Sequence, residues 1–524
     1  MSAHDHVDGP REEFAHDLEE IAADIGYERA VVDEAVAHDY STSSSGIVPL
    51  SRRRPMWHFA ALELTFEAGF GFLLLGFTIH DAGFRLGSTL AILLLSSGIY
   101  IAYATIGGFI GSRTGQTHSL LTRSIFGVVG SWIVSTLTAI SLLGWVGFQA
   151  NFTAQIWDGL YGWGHILVLG LILAGLMVIN NILGFTGISV FARYLVTPFF
   201  IAWIVYTIIK GLTEGSAVLG ATPKAVAPMS FLAAVGLAVG FYVWGNEPDI
   251  WRFGKPKFAW PIAPYVFAFV FGPVLFGVGG WIMAQISTDH GFAASLKSVT
   301  HYSLFGALWL TFIISVLGQV SINDGNYYAA INAGQNMLGG WSKWKRVYTC
   351  LVMGGVGVLA AYIIPYVITN GFEKLASFIS VTLPVATIIM AVDHFVLPRV
   401  VRVSRPLTQV PAWSETALFN WPALAALLVS VVFGSYATGL FSFAGEDPTT
   451  YWGLPAAETW VLAIVAYVAF AALAKALAGP SIRKVMGFPS YLLDAQIPDD
   501  QVIDPASEAE DRLPATATVA GATA

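Results

Sequence analysis

Three carboxylates stand where an apolar chain can least tolerate them. Glu67 lies in EAGFGF, Glu247 in GFYVWGNEPD and Asp324 in SINDGNYYAA, each inside a long hydrophobic stretch. Ionisable groups at membrane depth are costly and mark ion or substrate paths. Glu63 precedes Glu67 by one helical turn and can share its face. The plainer alternative for each is a carboxyl capped by exposed backbone amides or by a polar neighbour. Trp145 and Gln149 stand one turn apart in GWVGFQANF and so on one helix face. An indole plane stacks on a flat ring, and a carboxamide both donates and accepts at a ring edge, so the pair suits a planar, amide-like substrate. A buried Trp in isolation is as readily a packing residue. Ser321, Asn323, Asp324 and Asn326 add dense polarity that packing does not explain. They can meet a substrate edge or offer oxygen to a hard cation such as Na⁺. Asp249 and Arg252, three apart, read as a structural or gating ion pair.

The elements that must hold these groups are membrane-spanning helices. The chain is 55% hydrophobic and only 11% charged, where soluble domains carry about 25% charge. Apolar runs of roughly 20 residues, enough to cross the hydrocarbon region, recur from Trp57 to Leu477. Gly, Pro and charge punctuation predicts helices near 57–79, 87–110, 126–157, 164–184, 191–212, 229–251, 259–286, 303–338, 347–368, 373–397, 418–441 and 457–478. The first and sixth are poor continuous helices, because glycines and a proline interrupt them around Glu67 and Glu247. Paired interruptions at corresponding places in two halves point to a substrate site between inverted repeats. Close helix packing through glycine is the competing account.

Basic residues fix the orientation. Arg52 to Arg54, Arg252 with Lys255 and Lys257, and Lys343 with Lys345 and Arg346 collect on the side of the amino terminus. The other side holds Arg85, Lys210, Lys224, Lys297 and Lys374. Both termini are therefore expected in the cytoplasm of a bacterial-type inner membrane. The start of the chain is acidic and polar, where a secretory leader would be basic and then apolar, so no cleavage is expected. Acidic tails over 1–40 and 494–512 carry much of the net charge of −8 and read as solvated segments. The single cysteine, Cys350, excludes a disulfide framework and a thiolate metal site. His80, His290 and His301 near one membrane face, and His58, His118 and His394 near the other, read as interfacial rather than as a proton relay. No phosphate-cradling loop, zinc pattern or nucleophile elbow stands at a credible position. The short basic loops belong to topology, so nucleic-acid binding is not supported.

Several motifs together resemble the purine and cytosine permeases of the nucleobase:cation symporter family. They are IVPLSRRR before the first span, IGGFIGSRTGQTHSLLTRSIFGVVGSW, LGWVGFQA, PDIWRFGK, INDGNYYAA and FISVTLPVATIIMAVDHFVLPR, together covering roughly residues 47 to 405. The resemblance implies a five-plus-five inverted repeat with two extra helices, and alternating access around broken spans 1 and 6 with spans 3 and 8. It makes Trp145 the stacking tryptophan, with a partner at Gly240 or Phe241 and Trp244 as a substitute. It makes Asn323 and Asn326 the base-binding amides. It places a possible Na⁺ site at Ala68 and Ser321, but Ile322 stands where a second hydroxyl is expected. Glu67 and Glu247 replace uncharged residues of the family pattern.

The expected molecule is thus an all-α polytopic membrane protein of about twelve spans. Its parts are a tail (1–50), a first repeat (51–212), a second repeat (213–405), two further helices (406–480) and a second tail (481–524). The function expected is cation-coupled import of a nucleobase or related nitrogen heterocycle, including allantoin, hydantoin or a vitamin-like pyrimidine. No cofactor is expected beyond a coupling H⁺ or Na⁺, for which Glu67, Ala68, Glu247, Ser321 and Asp324 are the candidates. Its partners are the substrate and the lipid bilayer, and the chain works as a monomer or weak oligomer. Transport of an amine or amino acid on the same fold is the alternative. A channel or receptor fits less well, and nothing in the sequence supports an enzyme.

Overall fold

The structure is a computed structural model. It describes residues 48, 53–182, 184–287, 298–299, 301–338, 346–367, 372–404, 416–440, 453–486 and 492–493. Both acidic tails and His290 lie outside the described residues.

The first predicted span is two helices, α1 (Trp57–Phe66) and α2 (Phe70–Asp81), bent by 60° at Glu67 to Gly69. Span 2 is α3 (Leu86–Thr114), followed by a short α4 (His118–Phe126), and span 3 is α5 (Val128–Tyr161). Span 4 divides into α6 (Ile166–Leu176) and α7 (Ile179–Ile182). Span 5 joins α8 (Gly184–Phe191) to α9 (Thr197–Glu214) through a π-helical turn at Ala192–Val196. In span 6, α10 (Phe231–Tyr242) gives way to α11 (Glu247–Trp251). Span 7 is α12 (Ile262–Phe269), a π turn at Val270–Val274 and α13 (Leu275–Ile286). Spans 8 and 9 are α14 (Leu308–Leu338) and α15 (Arg346–Val367). Span 10 is α16 (Phe372–Ala391), a π turn at Val392–Val396 and α17 (Leu397–Val400). Spans 11 and 12 are α18 (Trp421–Ala437) and α19 (Pro455–Ala478), with α20 (Ile482–Met486) beyond them. A small antiparallel pair, β1 (Val403–Ser404) and β2 (Leu492–Leu493), ties the end of span 10 to the chain after α20.

Eight of these helices are long and apolar enough to cross a membrane, the bent pair α1–α2 taken as one span makes nine, and three shorter apolar helices, Ile166–Ile182, Phe231–Tyr242 and Trp421–Ala437, stand among them. The two halves repeat each other in packing. Span 1 lies on span 7 as span 6 lies on span 2, and spans 3 and 8 pack along each other through the centre. The fifth and tenth spans carry π turns in corresponding places.

Three local features differ from the expectation. Helix α4 is separate because Thr117 caps it, its hydroxyl accepting the Leu120 amide at 3.1 Å. Span 4 does not run continuously over 164–184 but breaks after Leu176. The π turns have no signature in hydropathy, because one inserted residue leaves the apolar pattern intact.

Candidate functional site

The two breaks meet at the centre of the molecule. In span 1 the Glu67 amide still bonds the Glu63 carbonyl at 3.0 Å, and the helix stops there. In span 6 the break is held by Gly245, whose φ of 81° lies in the left-handed region. A Cβ at this position would stand 2.5 Å from Leu383 Cβ, so glycine alone fits. Thr387 of span 10 donates to the Gly245 carbonyl at 3.0 Å.

Glu247 opens α11 and folds back on this turn. Its Oε1 accepts the Gly245 amide at 3.2 Å and the Tyr100 hydroxyl at 3.2 Å, while Oε2 accepts the Tyr103 hydroxyl at 3.1 Å. Both tyrosines come from span 2, where Gly107 leaves the room Glu247 needs; a Cβ there would sit 3.1 Å from Oε2. Tyr100 also lies against Glu67. Trp251 and Tyr265, joined by a 3.0 Å bond from the indole to the phenol oxygen, lie against Glu63. Glu63, Glu67 and Glu247 are 3%, 4% and 0% exposed. The Glu247 charge acts on both Glu63 and Glu67, and the Glu63 charge acts on Glu67. Among the described residues no basic side chain pairs with any of the three. They also do not form a group able to close round one metal ion.

Beside this network lies an aromatic and amide-lined wall. The Trp145 ring is 5.7 Å from Phe241, with the planes 53° apart, and Phe66 lies 5.6 Å from Trp244. Gln149 rests against the first break, so close to Gly71 that a Cβ there would lie 3.6 Å from its Nε2. Ile322 of span 8 meets the same break at Gly69, 3.7 Å from where a Cβ would stand. Trp145, Gln149, Phe241, Trp244, Glu67 and Glu247 thus gather around the two breaks.

Other sequence-predicted residues face elsewhere. Gly240 packs on span 10, where a Cβ would come 2.8 Å from the Ala376 carbonyl oxygen. Asp324 lies on the far face of span 8, where its carboxylate accepts amide bonds from Asn180 at 2.6 Å and Asn181 at 3.2 Å, in the broken part of span 4. Asn326 donates to Asn323 at 3.1 Å, and Asn323 to the Gln319 carbonyl at 2.9 Å, so these amides bond within their own helix. Ala68 is fully buried beside Gly272 of span 7. The Ser321 hydroxyl is buried without a hydrogen-bond partner.

In the second half of span 6, Asp249 accepts the His118 amide at 2.9 Å, at the start of α4. Arg252 acts on the Asp249 charge and donates to the Tyr328 hydroxyl at 2.7 Å. His118 is buried rather than interfacial, and burial pushes its imidazole down to about 3. It is neutral at physiological pH, and its Nε2 is buried without a hydrogen-bond partner. The tyrosines of the carboxyl network, Tyr100, Tyr103 and Tyr265, were not among the sequence candidates. Their one visible signal is the spacing of Tyr100 and Tyr103, three apart in an otherwise apolar span.

Comparison with known proteins adds an independent line. No family model matches the chain. It is 26% identical over 419 residues to cytosine permeases of Escherichia coli strains K12 and O157:H7, covering 76% of this chain and 90% of theirs. The chain resembles the cytosine permeases. Among solved structures, Mhp1, a nucleobase-cation-symport-1 family transporter, closed with bromovinylhydantoin bound, superposes with a TM-score of 0.66 at 18% identity, covering 85% of this chain and 99% of Mhp1. Inward-facing Mhp1 gives 0.62 at 19% identity, with 88% and 98% covered. A Na⁺-coupled sialic acid symporter in a substrate-bound outward-open state gives 0.57 at 12% identity, with 87% and 96% covered. The chain has the multi-span, inverted-repeat fold of these transporters, with spans 1 and 6 broken.

Proposed function

We propose that this chain imports a nucleobase, cytosine-like or purine-like, or a related nitrogen heterocycle, across a bacterial-type inner membrane with both termini cytoplasmic. It is a secondary active transporter, not an enzyme, and it works by cation symport with alternating access. One observation carries the substrate reading: the Trp145 and Phe241 rings stand beside the Gln149 carboxamide where the two broken spans meet. Rings of this kind bind flat ligands, and the amide reads an edge. The test is binding of cytosine, adenine, hydantoin and allantoin to the purified protein, with primary amines and amino acids as the competing class. Trp145→Ala in a folded protein is expected to weaken the best-bound heterocycle by about 1–3 kcal/mol, the usual worth of one aromatic stack on a base. Tight binding of an amine with no heterocycle bound would favour the alternative reading, in which a buried glutamate pairs with a cationic substrate.

The carboxyl network supports the proton as the coupling ion. A charged acid at membrane depth costs about 2.5–3.5 kcal/mol on insertion scales. Three uncompensated charges would consume most of the roughly 5–15 kcal/mol that keeps a protein folded. The network is therefore stable only when it holds protons or a cation. A Na⁺ needs several oxygens at close range, and here Ser321 supplies one hydroxyl while Ile322 places a methyl group against Gly69. That donor set falls short around Ala68. In proteoliposomes with imposed gradients, accumulation of the bound heterocycle is expected with a pH gradient in Na⁺-free buffer. Strict dependence on a Na⁺ gradient at constant pH would overturn the proton reading.

A further inference from the structure

Span 8 presents a different residue set to each neighbour. Asp324 and Tyr327 face span 4, where the Tyr327 hydroxyl donates to the Ala174 carbonyl at 2.8 Å. Gly318 faces Phe200 of span 5, and Gly325 faces Phe66 of span 1. Two contacts set the face toward span 3 and its register. The Trp157 indole donates to the Ser315 hydroxyl at 2.7 Å, and Asn336 donates to the Ser131 and Ser135 hydroxyls at 3.1 and 3.0 Å. The two helices therefore run in opposite directions, with Gln149 abreast of the turn from Gln319 to Asn323. Gln319 lies one turn from Ser315, so it shares the face that looks at span 3. Ile322, three residues on, touches Gly69 of the same break that Gly71 and Gln149 share.

Within this turn the hydrogen bonds are unevenly distributed. Asn323 and Asn326 are tied to one another and to their own helix. Gln319 is 1% exposed and Gln149 6%, yet the side-chain oxygen of each has no hydrogen-bond partner. Buried polar atoms are ordinarily paired, and an unpaired one points to a partner that arrives. We infer that Gln319 is a substrate-contacting residue, and that Gln149 and Gln319 together, rather than the two asparagines, read the polar edges of the transported ring. A carboxamide can turn to offer either its oxygen or its amino group. Two of them at one level, beside an aromatic wall, match a planar ring that carries cyclic amide or amidine groups with adjacent N–H and acceptor atoms. This rests on the heterocycle reading above and narrows it.

The experiment uses the single native cysteine. In a Cys350→Ala background, Gln319→Cys and Gln149→Cys are each reconstituted and treated with a membrane-permeant methanethiosulfonate, with and without cytosine, hydantoin or allantoin. Both cysteines are expected to react, and one probe is expected to slow both reactions at least ten-fold. The near-isosteric Gln319→Met, which keeps the packing volume, is expected to lower affinity for that probe at least ten-fold. An unreactive Gln319→Cys, or protection at Gln149→Cys without protection at Gln319→Cys, would overturn the assignment of Gln319. Reaction at both sites that no probe slows would overturn the heterocycle reading itself, and the Gln319 contact with it.

Discussion

Glu247→Gln is expected to abolish accumulation of substrate against its gradient while leaving substrate exchange across the membrane intact. Glutamine preserves the shape of the side chain: its oxygen can still accept from Tyr100 and the Gly245 amide, and its amino group can donate to the Tyr103 hydroxyl, which now donates to the carboxylate. It cannot release a proton. The break in span 6 therefore keeps its geometry while the coupling step is lost, and the cycle is reduced to facilitated movement. Glu67→Gln is expected to do the same from the other break, because Tyr100, which bonds Glu247, also lies against Glu67. The measurement is uptake into proteoliposomes under a pH gradient, beside counterflow with no gradient. Gradient-driven accumulation at the wild-type level in both variants would show that the network is only structural.

Gly280→Ala is expected to prevent stable folding. A Cβ on Gly280 would stand 2.1 Å from the Leu73 carbonyl oxygen, and one on Gly76 would stand 2.1 Å from the Gly277 carbonyl oxygen. Helices α2 and α13 thus interlock through reciprocal glycines, backbone against backbone, as close helix pairs in membranes do. Neither carbonyl can move aside without shifting its helix, and α2 is the second half of the broken first span. The cost should reach or exceed the ~3 kcal/mol upper range of ordinary overpacking. Gly98→Ala is the control, since nothing lies within 4 Å of a Cβ there. Yield of monodisperse protein and melting temperature in detergent should collapse for the first variant and stay at the wild-type level for the second.

The contrast between those two glycines separates what is local in a sequence from what is not. Both sit in apolar helices, and neither the neighbours of Gly280 nor those of Gly98 announce what will pack against them. The Asp324 and Glu247 carboxyls differ in the same way. Each reads as an acid at membrane depth, yet span 8 turns Asp324 to Asn180 and Asn181, while span 6 turns Glu247 to two tyrosines of span 2. Asn323 and Asn326 carry the type and spacing expected of a recognition pair. Their bonds close on their own helix, while Gln319, one turn earlier, keeps an unpaired side-chain oxygen.

The sequence by itself determined the many-span helical fold, the breaks in spans 1 and 6, and the presence of acids and an aromatic–amide pair at their depth. Those properties follow from hydropathy summed over about 20 residues and from glycine and proline acting on their own backbone. Only the tertiary structure decided which of these groups meet. The azimuth of each helix is set by partners far away in the chain, such as Trp157 on Ser315 and Leu73 on Gly280. A rotation of one residue, 100° about a helix axis, exchanges a site-facing side chain for a packed one without changing hydropathy at all.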